Sequence, residues 1–289
     1  MKKTILYTFI LITGLMGLTS CEDPIDLNLG APVNQMVIDA VINQTTDTQF
    51  IYIRRTKPFL EDGEYVGIQV DTVGIVDTAN QTFHLFTYKG NGTYFFVPAP
   101  NTFQYGNAYQ LLVKEGAQTY FSQSVLNSPT SIDSLTYKYE ERGRFGGNKG
   151  NYITVWAKDK PGVGDFYWFK VYRNDSLQAK ANDIVIASDN AFNQDGNGDG
   201  DLFIVPIREG LTGRPLKQGE KMKVEILSIT PELYFYLNLI STQLNNQGLF
   251  ATPPTNIPSN IVNINKPDNK ILGFFSMVGK VESAEILVQ

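Results

Sequence analysis

The chain has 289 residues, 42% of them hydrophobic, with 24 Lys and Arg against 29 Asp and Glu and a formal net charge of −5. That apolar content is enough to build packed cores and excludes a disordered chain. A mildly acidic balance without a basic block leaves no electrostatic footprint for nucleic acid.

The N-terminus reads first as a leader. Lys2 and Lys3 precede an apolar run from Ile5 to Leu18, too short for a comfortable membrane span, followed by small residues and Cys21, the single cysteine. One cysteine can form neither an internal disulfide nor a thiolate metal cluster. Leu18-Thr19-Ser20-Cys21 resembles the bacterial lipobox. The resemblance implies that residues 1–20 are a lipoprotein signal peptide and that Cys21 is acylated on its thiol and new amino group. Glu22 and Asp23 look like the acidic signal that carries many Bacteroidota lipoproteins to the cell surface. Several acyl chains hold far better than one, so lipid on Cys21 is the expected membrane anchor. Residues 21–34 then read as a lipidated tether and a first short strand.

Residues 35–126 carry the signature of an immunoglobulin-like β-sandwich. In QMVIDAVIN, Met36, Ile38, Ala40 and Ile42 share one face by period two, with Val37, Asp39 and Val41 on the other. QFIYIRR (49–55) is a second strand. TFHLFTY (82–88) and TYFFVP (93–98) flank Lys89-Gly90-Asn91-Gly92, and AYQLLVK and QTYFSQS flank Glu115-Gly116-Ala117, giving two hairpins. The 18 Phe, 15 Tyr and 2 Trp of the chain suit such strands.

LNSPTSIDS (126–134) marks a boundary, after which residues 127–289 form a second β-rich domain with one packed helix at about 231–246. SLTYKYEE and NYITVWAKD are strands joined by a basic, Gly-rich loop containing Arg142, Arg144 and Phe145. DFYWFKVYRND is apolar on both faces and so is buried on two sides. Thr230 caps a helix that starts at Pro231 and Glu232 and carries the stripe Leu233, Leu237, Ile240 and Leu244. KMKVEILSI and KILGFFSMVGKVESAEILV are strands, and between helix and last strand the prolines of FATPPTNIPSNIVN forbid a regular ladder. That segment reads as an extended loop or an edge-covering strap, with Pro253 and Pro254 near its start.

Chemistry is sparse. The one histidine, His84, lies in a strand without a GxSxG elbow, and a zinc site lacks ligands. In QDGNGDGDLF, Asp195, Asn197, Asp199 and Asp201 offer alternate oxygens with turn glycines, as a structural calcium would want, but the twelfth position of the EF-hand spacing is Pro206. No cofactor is required. Arg142, Arg144, Phe145, Pro253 and Pro254 are the candidate contacts to a partner or ligand, chosen for exposure and irregular backbone.

The ordered segments IDLNL, VIDAVIN, SIDSL, PGVGDFYWFKVYRND, VEILSITPELYFYLNLI, FATPPTNIPSNIVN and ILGFFSMV resemble the Bacteroidota lipoproteins of domain-of-unknown-function family 4249 over residues 21–289. That resemblance carries no functional residue across. It implies an accessory protein beside a TonB-dependent receptor. The expectation is therefore a non-enzymatic, lipid-anchored outer-membrane protein that faces the cell exterior and helps capture a nutrient. A surface adhesion module is the alternative, and an envelope hydrolase using a carboxylate pair is the third reading.

Overall fold

The computed structural model describes residues 34–57, 65–144, 147–162, 164–188, 200–246, 251–252, 255 and 257–289. Eighteen strands dominate the described residues: β1 Met36–Asn43, β2 Gln49–Arg55, β3 Val66–Gly67, β4 Thr72–Asp77, β5 Thr82–Leu85, β6 Thr87–Gly90, β7 Thr93–Phe96, β8 Ala108–Glu115 and β9 Gln118–Val125 in the first half. The second half adds β10 Ser131–Glu140, β11 Gly150–Lys158, β12 Phe166–Arg173, β13 Ser176–Leu177, β14 Val185–Ser188, β15 Lys221–Ile229, β16 Val262–Asn263, β17 Leu272–Glu282 and β18 Ile286–Leu287. A short helix spans Val205–Glu209 and a long one Pro231–Leu244. The chain is mainly β, as its aromatic and β-branched content predicts.

The first half packs two sheets face to face. β1 turns Met36, Ile38, Ala40 and Ile42 inward, none more than 2% exposed. Ile51 and Ile53 of β2 join them, and Val73, Ile75, Tyr109, Leu111 and Val113 oppose them from a five-stranded sheet ordered β16-β9-β8-β4-β5. Each such Val, Ile, Leu or Met side chain contributes about 1.5–3 kcal/mol by leaving water. The hairpin at 115–117 forms as expected. The run TFHLFTY, read as one strand, is two. β5 pairs with β4, and β6 with β7 in the other sheet, so the chain changes sheets at buried Phe86, whose N–H is taken by Val73 O at 2.8 Å. A bulky apolar side chain at the crossing closes the sandwich corner.

The expected boundary at 126/127 does not separate two sheets. Asn34–Gln289 is one compact unit. An eleven-stranded sheet runs β13-β12-β15-β17-β1-β2-β7-β6 through both halves. Its junction is the parallel pairing of β1 with β17, in register from Val37 with Leu272 to Asn43 with Val278. Pairing between strands so distant in sequence is invisible to local patterning. The Asn-Ser-Pro stretch is packed, not a free linker: Asn127 donates to Ile229 O at 3.1 Å, and a Cβ on Gly279 would stand 2.3 Å from Asn127 O. At the other end of β17, Gly273 has φ +87°, and a Cβ there would lie 2.1 Å from Ile38 O. Only glycine fits this start to the seam.

In the second half β12 is two-sided, as its sequence requires. Tyr167, Phe169 and Val171 enter a core with Leu135, Ile153 and Val155 of the β10–β11 hairpin, while Phe166 and Trp168 face the long helix. That helix is capped by Thr230, whose Oγ1 accepts from Leu233 N at 3.3 Å. Leu233 and Leu237 are buried and Ile240 packs beside them, but Leu244 is 49% exposed. In that last turn and just beyond it, Gln243 and Asn246 turn to Thr255 and Thr252 of the strap instead of the sheet. Tyr236 widens the buried stripe in its place, its ring 4.7 Å from Phe274. Further along, the strap covers a sheet edge through β16 on β9. The Asn260 side chain donates to Phe275 O at 2.7 Å and accepts from Phe275 N at 3.0 Å, replacing a strand that the prolines cannot supply.

A candidate ligand cleft

The residues singled out from sequence separate in space or lie outside the described residues. Cys21, Phe145, Asp195, Asn197, Asp199, Pro253 and Pro254 are outside them. Asp201 is exposed, and its carbonyl accepts from Asp159 N at 2.8 Å. Arg142 is exposed. Arg144 is corrected by its geometry: its side chain is 8% exposed, so it is no surface contact. Its guanidinium donates to Ile153 O at 2.7 Å and to Glu140 and Thr154, and sits over the Tyr152 ring at 5.6 Å. A basic side chain in a Gly-rich loop has been turned inward because the hairpin needs its donors for buried acceptors. His84 faces the sandwich interior, its ring 5.3 Å from Phe103 and 5.4 Å from Phe96. Burial lowers its pKa, against a weaker raising effect of Asp77, which favours the neutral ring.

A cleft of about 370 Å³ opens on the opposite face of β1 from the sandwich core. Period two puts Val37, Asp39 and Val41 on that face. Asp39 is in register with Tyr52 of β2 and Phe274 of β17, so a carboxyl stands in a cross-strand row between two aromatic residues. Arg54, next along β2 on the same face, places Nη1 3.4 Å from Asp39 Oδ2 and lies 4.9 Å over the Tyr52 ring. The long helix supplies Tyr236 and Gln243, the strap Thr255 and Ile257, β17 its first residues Leu272 and Gly273, and Tyr65 stands at the mouth. The amide of Gln243 donates to Thr255 O at 2.6 Å, fastening strap to helix and forming one wall.

The electrostatics of the floor are unbalanced. Burial raises the Asp39 pKa, and the opposing attraction of Arg54 does not cancel it. The Tyr236 hydroxyl is pushed up to about 12, first by burial and then by the charge of Asp39. Even so, the side chains of Arg54 and Asp39 remain 34% and 44% exposed. A recessed ion pair still reachable from solvent, ringed by tyrosines, is a binding geometry. The sequence held one faint signal for it: a charged residue, Asp39, between Val37 and Val41 on the face of β1 opposite the core row.

The same sheet face carries a second polar cluster that offers no comparable cleft. Lys170, Glu225 and Glu282 form a cross-strand row. Lys280 lies 2.8 Å from Asp47, 3.5 Å from Glu225 and 3.7 Å from Glu282, and Lys223 lies 3.4 Å from Glu282. Tyr172 donates to Glu225 at 2.9 Å. These two glutamates are clamped by shared lysines, an arrangement that holds neighbouring strands together.

Fold and cleft define a mainly β protein that presents a tyrosine-lined recess with an ion pair on its floor, on one face of a shared sheet. Its residues 22–284 match the family model described as Domain of unknown function (DUF4249), and the chain belongs to that family. No curated protein matches it significantly.

Proposed function

We propose that this chain is a non-enzymatic outer-membrane lipoprotein of Bacteroidota type, held by lipid on Cys21 at the cell exterior, that captures a nutrient for a TonB-dependent receptor. The observation that carries the reading is one of position. The family domain begins at residue 22, directly after the cysteine of Leu18-Thr19-Ser20-Cys21, so processing there would leave the whole domain on a lipid. Among the described residues no helix is long and apolar enough to cross a membrane, consistent with an anchor at Cys21. A domain confined beside its receptor needs only weak contacts, because confinement raises the effective concentration of the pair. The Asp39–Arg54 cleft is the capture site on this reading, and the sandwich is of immunoglobulin-like kind. A structural calcium held by Asp195, Asn197, Asp199 and Asp201 is part of the same proposal.

The test is affinity purification of the C-terminally tagged protein from detergent-solubilised outer membranes, with protease shaving of intact cells. A stoichiometric β-barrel receptor in the eluate, with the tag removed by shaving, is the expected result. Shaving without any receptor would overturn the partnership. It would favour the adhesion reading, for which one surface speaks. The outer face of the five-stranded sheet carries a cross-strand apolar row of Leu85, Leu112, Phe121 and Val262, with Leu85 57% and Val262 53% exposed.

A further inference from the structure

We propose that the cleft between β1, β2, the long helix and the strap binds a free α-amino acid as its zwitterion, with the ammonium on Asp39 and the carboxylate on Arg54. The inference rests on the capture reading above and names the ligand class of that same site.

Three observations carry it. First, the two head groups sit side by side at the floor, 3.4 Å apart and both open to the cleft. An α-ammonium and an α-carboxylate are joined through one carbon, so they present opposite charges at comparable spacing and in the complementary order. Second, the pair leaves capacity unused. Its one contact, from Nη1 to Oδ2, is longer than a charge-assisted hydrogen bond, and no other hydrogen bond to the Asp39 carboxylate is formed among the described residues. The guanidinium has further donors in a planar fork suited to a carboxylate. A zwitterion exchanges one long contact for two short ones. Third, the walls are right for a side chain. Val37, Leu272 and Ile257 are apolar, and Tyr236 and Tyr65 add aromatic side chains to the lining. About 370 Å³ accommodates one amino acid with a large side chain.

The electrostatics agree with this geometry. Burial outweighs Arg54 in setting the Asp39 pKa, so the protein by itself leaves the carboxylate under-compensated. A bound cation supplies what is missing. A polyol would form hydrogen bonds here but bring no charge to either group.

The test is isothermal titration calorimetry on the full-length lipoprotein in detergent. A panel of L-amino acids spanning charged, polar, aliphatic and aromatic side chains is titrated first. For the best of them, the N-acetyl and the carboxamide derivatives follow, with maltose as a polyol probe. One saturable site is expected, with each blocked derivative weakened at least about tenfold by loss of one charge-assisted contact. Asp39→Asn should then abolish the discrimination against the N-acetyl form, and Arg54→Gln the discrimination against the carboxamide. Absence of saturable binding across the panel, equal binding of blocked and free forms, or binding of maltose in their place would each overturn the proposal. The blocked ligands test the unaltered protein, so the result does not depend on the variants folding. Receptor co-purification is measured on the same preparations. Receptor retained without amino-acid binding sinks this inference and leaves the partnership standing. Amino-acid binding without a receptor does the reverse.

Discussion

Residues 36–126 bury their apolar rows between two sheets, joined there by Ile261, Ile271, Phe275 and Met277, whereas residues 131–229 bury theirs under a hairpin on one side and a helix on the other. A facing sheet covers its neighbour along the full strand length and leaves a dry interior. A helix covers a stripe only about 10 Å wide. The sheet face beside that stripe must be left open or filled with polar groups. Both outcomes occur here: the Asp39–Arg54 cleft lies on one side of the helix, and the Lys170–Glu225–Glu282 row on the other. The recess is thus a consequence of covering a wide sheet with one narrow element. It is placed on the back of a strand whose other face is buried, with Met36, Ile38, Ala40 and Ile42 all in the core.

The largest effect should come from the strand the two halves share. Phe275→Ala removes a fully buried ring from β17 on its sandwich side and should cost about 3–5 kcal/mol. Near-ultraviolet and far-ultraviolet circular dichroism should shift together on heating, because β17 also pairs with β15. Two separated transitions would show that the halves are independent after all.

Next comes Arg144→Ala, which strands the acceptors that its guanidinium serves in the hairpin half and should cost about 2–4 kcal/mol. Hydrogen exchange should accelerate at β10 and β11 while β8 and β9 hold their protection. Equal acceleration in both places would break the comparison drawn above.

Thr230→Ala should cost about 1 kcal/mol by removing the helix cap, with Thr230→Ser restoring most of it. Urea denaturation reads this directly.

The smallest effect has the opposite sign. The folded-state pKa of Asp39 is raised above its ordinary value of 3.8, so the folded state holds its proton to higher pH than the unfolded chain does. Stability from this group is present below 3.8 and is lost as pH rises through the folded value. Asp39→Asn should therefore raise the melting temperature slightly at pH 7 and leave it unchanged at pH 3. A lowered melting temperature at pH 7 would make the acid a structural partner of Arg54 and not a group kept for a ligand.

Much of the fold was legible locally. The inward row of β1, the hairpin at Gly116, the two-sided β12 and the capped helix all follow from side-chain period, turn chemistry and a Thr-Pro-Glu start. β4 was not singled out, because Thr72–Asp77 is short and its central Gly74 interrupts the alternation. The division of TFHLFTY between two sheets was missed because a continuous apolar run carries no sign of a corner. Arg144 misled for a related reason: a basic residue among glycines reads as surface until its acceptors are located.

The cleft was the least legible part. Asp39, Arg54, Tyr65, Tyr236 and Thr255 come from five separate stretches of chain, and none forms a motif with another. The sequence by itself determined most of the strands, which faces of them are apolar, and the helix with its cap, since all of these rest on neighbours within one or two turns of chain. Only the tertiary structure decided that β1 lies parallel to β17, that one sheet serves both halves, and that an acid on the back of β1 meets a base on β2 beneath a helix. Those facts depend on pairings between separate strands, from the 15 positions between Asp39 and Arg54 to the more than two hundred between β1 and β17, and side-chain periodicity carries no information about partners.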